Sequence, residues 1–435
     1  MKLTFVGAGS TIFARNVVGD CILTPELGDF DVCLFDIDPK RLDESYQILC
    51  NINQTAGGKA RITKTLDRTE AFTGADFVVN AIQVGGYDPC TITDFEVPKK
   101  YGLRQTIADT LGIGGIFRTL RTIPVMEDYA NDMERLCPNA LFINYTNPMA
   151  MLTGYMQRYT RMKTVGLCHS VQGCARELLR DVGMTEYIDK CRWEIAGINH
   201  QAWLLKITDL QGNDLYPEIK RRAAAGELQE DCKDLVRLEM MLRFGYYITE
   251  SSEHTSEYTP WFIKSKYPEL IDRFKIPLDE YPRRCVNQIA EWNEMRDSLL
   301  RDSHIEHKRT HEFASYIIKA MMTDEPYRIH GNVINTGLIT NLPANACVEV
   351  PVMVDRNGLN PCFVGDLPEQ CAAINRTNIN VQLLTIQAAR SHKKEDVYMA
   401  AMMDPHTAAE LSMDDIRSLC DDLFEAHKGW LPEYR

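Results

Sequence analysis

The chain has 435 residues, 45% hydrophobic and 25% charged, the balance of a globular protein long enough for two domains. Acidic residues outnumber basic ones by 61 to 48, giving a formal charge of -13. A polyanion such as nucleic acid would therefore be repelled, and no basic stripe offsets this. No run reaches the roughly 18 apolar residues of a membrane span, the opening "MKLTFVGAGS" lacks the apolar core of a signal peptide, and the fourteen cysteines are scattered without a C-x-x-C pair. A cytoplasmic protein with reduced thiols, acting on small molecules and not on a membrane or nucleic acid, is expected.

The first forty residues read as strand, glycine turn, helix and strand. "KLTFVGAGS" ends in Gly7, Gly9 and Ser10, a helix runs on through Val18, and "DVCLFDID" (31–38) is a second buried strand that reaches Asp36. This is the order of a dinucleotide-binding unit. Gly7 allows the tight turn, Gly9 lets the backbone approach a pyrophosphate, Ser10 opens the helix, and Asp36 stands where a carboxylate takes the ribose hydroxyls. An acid there disfavours a 2′-phosphate, so NAD is expected over NADP. Ile12 occupies the place of the third glycine, which leaves a glycine turn of some other α/β protein as the alternative.

The alternation continues with strands in "ADFVVNAI" (75–82), "NALFINYTNP" (139–148) and "KTVGLCHS" (163–170). A helix between them runs from about Ile116 to Leu136 and is expected to kink at Pro124. Strands separated by helices predict a doubly wound parallel sheet over residues 1–190. Ligands of such sheets lie beyond the carboxyl ends of the strands, where Asn147, Cys168 and His169 fall. From residue 191 the pattern changes. "RWEIAGINHQAWLLKIT" (192–208) reads as two strands about a polar corner, "GNVINTGLITNLPANACVEVPVMVD" (331–355) as short strands, and a long helix spans about 375–400. The expected architecture is α/β: an N-terminal Rossmann-like domain, and a second α+β domain over 191–435.

His200, at the polar corner, lies thirty-two residues after Cys168. That spacing fits no compact zinc finger, but a cysteine and a histidine from separate elements can form an incomplete coordination shell that leaves places for substrate oxygens. A buried strand cysteine and an unrelated core histidine are the alternative. "TESSEHTSEYTPWF" (249–262) gathers Glu253, His254, Glu257 and Tyr258 in front of Trp261 and Phe262, either a sugar-sized pocket wall or a capped helix start. "SHIEHKRTHEF" (303–313) spaces His304, His307 and His311 as on a helix face, and its Lys308 and Arg309 predict an exposed charged face.

Taken together, "FVGAGS", "GIGGIFRTLRTIP", "NYTNPM", "LCHSVQG", "AGINHQAW" and "NLPANACVEVP" resemble, in order and over essentially the whole chain, the NAD- and Mn-dependent family 4 glycoside hydrolases. Cysteine followed by Asp or Asn and x-Pro is typical of the 6-phospho-glycosidases of that family, whereas Cys168-His169-Ser170-Val171 is similar to its α-galactosidase branch. The resemblance implies that Cys168 and His200 bind a divalent metal, usually Mn2+, and that Asn147 contacts cofactor and sugar hydroxyls beside it. It implies an acid for the leaving group at His169, a catalytic tyrosine at Tyr258, and a place near the sugar for Asp109. Arg283 is placed as a sugar-binding residue, and Arg283 or Arg284 as the cation that a tyrosine of ordinary pKa near 10 needs in order to act as a base.

The implied chemistry departs from the usual two-carboxylate scheme. NAD+ takes hydride from C3 of the sugar, the metal acts as a Lewis acid on the C2 and C3 oxygens, and a base removes the C2 proton. The aglycone then leaves by elimination, water adds, and the hydride returns. The implied activity is hydrolysis of unphosphorylated α-galactosides such as melibiose, and apolar helices in the second domain predict a homodimer or homotetramer. An α-glucosidase or α-uronidase of the same family, and less closely a plain NAD-dependent dehydrogenase, are the alternatives. The dehydrogenases of similar order carry a His-Gly-Asp that is missing here, where His200 is followed by Gln201.

Overall fold

A computed structural model describes residues 1–435. Six strands open the chain: β1 (Lys2–Val6), β2 (Phe30–Phe35), β3 (Ala60–Thr65), β4 (Phe77–Asn80), β5 (Leu141–Asn144) and β6 (Lys163–Gly166). They pair in parallel in the order β3-β2-β1-β4-β5-β6, the doubly wound arrangement of dinucleotide-binding sheets. Their apolar runs follow from burial on both faces. Phe77 and Val79 of β4, with Leu141 and Ile143 of β5, pack into one core, while Val78 and Phe142 between them point into the other.

The sheet does not stop at residue 190. β7 (Cys191–Ile198), β8 (Gln201–Asp209), β9 (Tyr247–Ile248), β10 (Tyr327–Ile334), β11 (Cys347–Asp355) and β12 (Gly358–Pro361) extend it antiparallel. The order continues β6-β10-β11-β7-β8-β9, with β12 on β11. The join is a single residue pair, Gly166 with Asn332, and β11 meets β7 only through Glu349 and Gly197.

The first turn forms as predicted. Gly7 has φ +84°, and a Cβ there would stand 2.7 Å from the carbonyl oxygen of Ala81. The helix that follows, Thr11–Ile22, carries Ile12 on its exposed side, so a side chain is tolerated where a third glycine was expected.

Three expectations need correction. The helix predicted from Ile116 begins at Gly112 and continues through Pro124 to Leu136. The helix predicted over 375–400 is two helices, Glu369–Ser391 and Lys394–Met403, separated by His392 at φ +51°. The histidine-rich stretch before Phe313 is not a helix but a strap laid on the Thr11–Ile22 helix. Its organiser is Asp20, fully buried in that helix, which accepts from His307 Nε2 (2.8 Å), the Thr310 backbone (2.9 Å) and the Thr310 hydroxyl (2.6 Å). A buried carboxylate must be paired, so His307 turns inward while His304 and His311 stay exposed.

Candidate active site

Four chain segments meet beyond the carboxyl ends of β4, β5 and β6. Cys168 follows β6 directly and precedes the Ser170–Asp181 helix. His200 is the tip of the β7–β8 hairpin, in the left-handed region at φ +60°. Glu250 leaves β9, which pairs with β8 through Trp203 and Ile248, and is also left-handed at φ +66°. Ala108, beside Asp109, has φ +50°. Three of the eight non-glycine residues with positive φ thus fall in this one site, where stored backbone strain marks function more often than folding.

Cys168, His200 and Glu250 present ligand atoms that all lie within 4.8 Å of one another. Glu250 Oε2 is 3.6 Å from His200 Nε2 and 3.9 Å from Cys168 Sγ. Two ligands of one first-row ion, bonded at about 2.0–2.3 Å with a tetrahedral angle, stand about 3.3–3.6 Å apart, so these groups fit a cation after small shifts. The charges ask for one as well. Burial, with Glu250 and then Glu349 nearby, pushes the Cys168 thiol well above its ordinary range. Burial likewise raises Glu349 to about 7. That residue is fully buried on β11, bonded through one oxygen to Asn332 (3.2 Å) and without a partner for the other. Burial alone would raise Glu250 too, but His254 and His200 bring it down to about 2. A thiol and two carboxyl groups around an imidazole suit a divalent cation better than any protein cation at this spot.

Around this centre stand the other groups. Tyr258, 1% exposed, hydrogen-bonds His200 Nδ1 at 3.0 Å, and the two rings stack. Burial, then Asp109 and Glu257, hold its phenol well above the ordinary value. Asp109 accepts from Asn147 Nδ2 at 3.3 Å and lies 4.0 Å from His254 Nε2. Burial lowers His254 to about 4, so it is a neutral imidazole at neutral pH. His169 is half exposed, packed between the rings of Tyr145 and Phe313, and bonded through Nε2 to Glu312 at 2.8 Å. Burial would lower His169, but the Glu312 carboxylate raises it.

The loop that carries Asp109 is held from behind. Glu257, buried next to Tyr258, takes the backbone N–H groups of Thr106 (2.9 Å), Ile107 (3.3 Å) and Ala108 (2.8 Å). Burial raises this carboxyl to about 7, against the three amides that favour its ionised form. Glu257→Gln places an NH2 among N–H donors and is expected to lose about 1–3 kcal/mol of stability. The midpoint of denaturant unfolding reads this directly, and an unchanged midpoint would mean that the loop is held by something else.

The dinucleotide end lies further along the sheet edge. Asp36 Oδ2 accepts from Gly9 N at 2.6 Å and Oδ1 from Asp38 N at 2.9 Å, which places its carboxylate against the glycine turn with Ser10 at the start of the helix. Ile37 and Leu66, both exposed, flank the same edge after β2 and β3 and offer apolar faces to a planar base.

The structure therefore brings Asp109, Asn147, Cys168, His169, His200 and Tyr258 together, and sets Gly7, Gly9, Ser10 and Asp36 at the neighbouring turn. It does not bring Arg283 in. That side chain is half exposed on the Glu280–Arg301 helix and pairs with Glu280 one turn away, while Arg284 pairs with Glu280 and Glu253. Neither makes a hydrogen bond to Tyr258, although the charge of Arg284 acts on its neighbour His254. Three residues escaped the sequence reading: Glu250, Glu349 and the buried Arg118. The signal for Glu349 is a lone carboxylate in the middle of the apolar run "CVEVPV", and for Arg118 a cation directly after "GIGGIF", both in buried elements. Glu250 carries no such signal, because only the β8–β9 pairing aims it.

Comparison with known proteins gives this constellation a family. A model described as family 4 glycosyl hydrolase matches residues 2–184, and one described as the family 4 glycosyl hydrolase C-terminal domain matches residues 195–407. The chain is 60% identical over 434 residues to an α-galactosidase of Bacillus subtilis (strain 168), with 100% of both chains covered. It is 34% identical over 445 residues to an α-galactosidase of Rhizobium meliloti (strain 1021), covering 100% of this chain and 89% of the other. A 6-phospho-α-glucosidase from gut microorganisms, solved in complex with NAD and Mn2+, shares the fold with a TM-score of 0.79 at 21% identity, covering 100% of this chain and 99% of that one. No helix is long and apolar enough to cross a membrane. The chain belongs to the family 4 glycosyl hydrolases.

Proposed function

We propose that this protein is an NAD- and divalent-metal-dependent α-galactosidase that hydrolyses unphosphorylated α-galactosides such as melibiose. The observation that carries the reading is the 60% identity, end to end, with an α-galactosidase. The site supports it: carboxylates, imidazoles and a phenol stand together there. NAD+ held by Gly7, Gly9, Ser10 and Asp36 would supply reversible hydride transfer at C3 of the sugar, and Mn2+ held by Cys168, His200 and Glu250 would supply Lewis acidity at its C2 and C3 oxygens.

The protein's own groups do the rest. Asp109 and Asn147, bonded to each other, hold sugar hydroxyls in a fixed orientation. Tyr258 takes the C2 proton through an oxygen that faces His200 Nδ1. When the Nε2 of His200 is a ligand, its Nδ1 carries the proton and donates it to that oxygen, which favours the phenolate. His169 delivers a proton to the departing oxygen, with Glu312 fixing its ring as the carboxylate of a triad fixes its histidine. All fourteen cysteines are free, in keeping with work in the reducing cytoplasm. The Glu280–Arg301 helix buries only Cys285 and exposes Val286, Ile289 and Met295, apolar side chains available for self-association as a homodimer or homotetramer.

The test is an assay of the purified protein, under reducing conditions, on p-nitrophenyl α-galactoside with NAD+ and Mn2+, and then with each omitted. Turnover that needs both, with no net NADH, is expected. Turnover without NAD+, or stoichiometric NADH, would overturn the mechanism, the latter in favour of a dehydrogenase.

A further inference from the structure

Three arginines of this protein are buried, and two are paired with carboxylates. Arg121, 1% exposed, makes a bidentate pair with Asp94 (3.1 and 2.6 Å) and a bond to the Val84 carbonyl. Arg237 pairs with Asp234 and Glu177 and donates to Ile248, and its unpartnered Nη2 is sealed inside the protein. Arg118, one turn before Arg121 on the Gly112–Leu136 helix and 6% exposed, touches no carboxylate at all. Its guanidinium lies over the Tyr281 ring at 5.7 Å and makes one hydrogen bond, Nη1 to the Tyr281 hydroxyl at 3.3 Å. The other two nitrogens have no partner, yet neither is sealed inside the protein, so both open onto solvent-reachable space.

A buried guanidinium left with free N–H groups facing an opening is what a site for an oxygen-rich ligand requires. The opening belongs to the sugar site. Tyr281 is tied to the Asp109 loop by its N–H bond to the Thr106 carbonyl (3.0 Å). The Arg118 helix abuts that loop so closely that a Cβ on Gly114 would stand 2.5 Å from the Ala108 carbonyl oxygen. Asp109 is the nearest carboxylate to act on both Arg118 and Tyr281, but it lies beyond ion-pair contact. Donors on one side and an acceptor on the other, kept apart, match hydroxyl groups, each of which both donates and accepts.

We propose that Arg118 is a sugar-binding residue. With Asp109 it grips hydroxyls of a neutral hexose, and because the two charges offset each other, the pair gives no net attraction to a sugar acid. This rests on the α-galactosidase reading above and names how that site selects its substrate. A lone arginine in the same place would favour a carboxylate; the neighbouring aspartate removes that advantage.

The experiment compares wild type with Arg118→Met and Arg118→Lys on p-nitrophenyl α-galactoside. NAD+ binding is followed by fluorescence and Mn2+ binding by electron paramagnetic resonance. For the methionine variant the expected result is a KM raised about 10- to 100-fold, the worth of one or two bonds from a charged donor. Its kcat should stay within a few-fold, NAD+ and Mn2+ binding should be unchanged, and the lysine variant should recover part of the loss. In wild type, galactose should inhibit at least tenfold more tightly than galacturonate. Unchanged KM in both variants, loss of NAD+ or Mn2+ binding along with activity, or equal inhibition by the two sugars would overturn the proposal. A wild type that cleaves an α-glucoside instead sinks the galactose reading alone, since the same KM comparison then decides the role of Arg118. A wild type that prefers a galacturonide sinks both.

Discussion

Cys168→Ser is expected to reduce turnover to background, a loss of at least about 1,000-fold, while leaving NAD+ affinity within about twofold of wild type. The thiol is the one soft donor at the proposed cation site, between Glu250 (3.9 Å) and the Ser170 hydroxyl (3.3 Å). Burial and the neighbouring carboxylates hold it protonated without a cation, so its thiolate exists only as a ligand. A serine hydroxyl at the same place keeps the volume but does not ionise, and what remains is one imidazole and one carboxylate. The NAD+ turn is built from Gly7, Gly9 and Asp36 on β1 and β2, two strands or more away in the sheet order, and shares no hydrogen bond with Cys168. Mn2+ binding followed by electron paramagnetic resonance, beside NAD+ binding followed by fluorescence, separates the two sites. Near-normal turnover of this variant would show that Cys168 is not a ligand, whatever the resemblance implies.

What the sequence disclosed and what it hid divide along a physical line. The glycine turn, Asp36 and the strand ends at Asn147 and Cys168 were legible, because each is marked locally by glycines or polar residues that close a continuous apolar run. Cys168 and His200 could be named as a pair only through resemblance. The sheet order that brings β6 and the β7–β8 hairpin together passes through β10 and β11, more than a hundred residues later. Glu250 was hidden for the same reason and for one more: its carboxylate reaches the site because the backbone is left-handed there, and glutamate gives no hint of that.

Arg283 misled in the opposite direction. It was named as the cation that Tyr258 needs and as a sugar-binding residue, but helical geometry gives it Glu280 as a partner three residues away. The histidines at 304, 307 and 311 carried helical spacing without forming a helix, since the buried Asp20 needed their segment as a source of donors. Long-range demands of this kind, a carboxylate to pair or a sheet to complete, are what local pattern cannot express.

The removal of Arg283 and Arg284 from its surroundings sharpens what Tyr258 should do. Its phenol has no cationic side chain beside it, and burial with Asp109 and Glu257 makes ionisation harder. Its oxygen meets His200 Nδ1, whose other nitrogen faces Cys168 and Glu250, and the Thr110 side chain also acts on it. Tyr258 is thus coupled to the proposed metal position through one imidazole, and a cation held there would favour its action as a base. Tyr258→Phe keeps the ring and its stacking on His200 and removes one oxygen. It is expected to lower kcat by about 100- to 10,000-fold, the usual worth of a positioned proton acceptor, and to leave Mn2+ and NAD+ binding intact. The orphaned His200 Nδ1 adds a stability loss of about 1–3 kcal/mol, visible as a shift in the unfolding midpoint. Exchange of the sugar's C2 hydrogen with deuterated solvent, followed by NMR, is the decisive measurement, because it reads the proton step apart from leaving-group departure. Exchange at the wild-type rate in Tyr258→Phe would take the base away from Tyr258 and leave neutral His254, 4.0 Å from Asp109, as the group next in line.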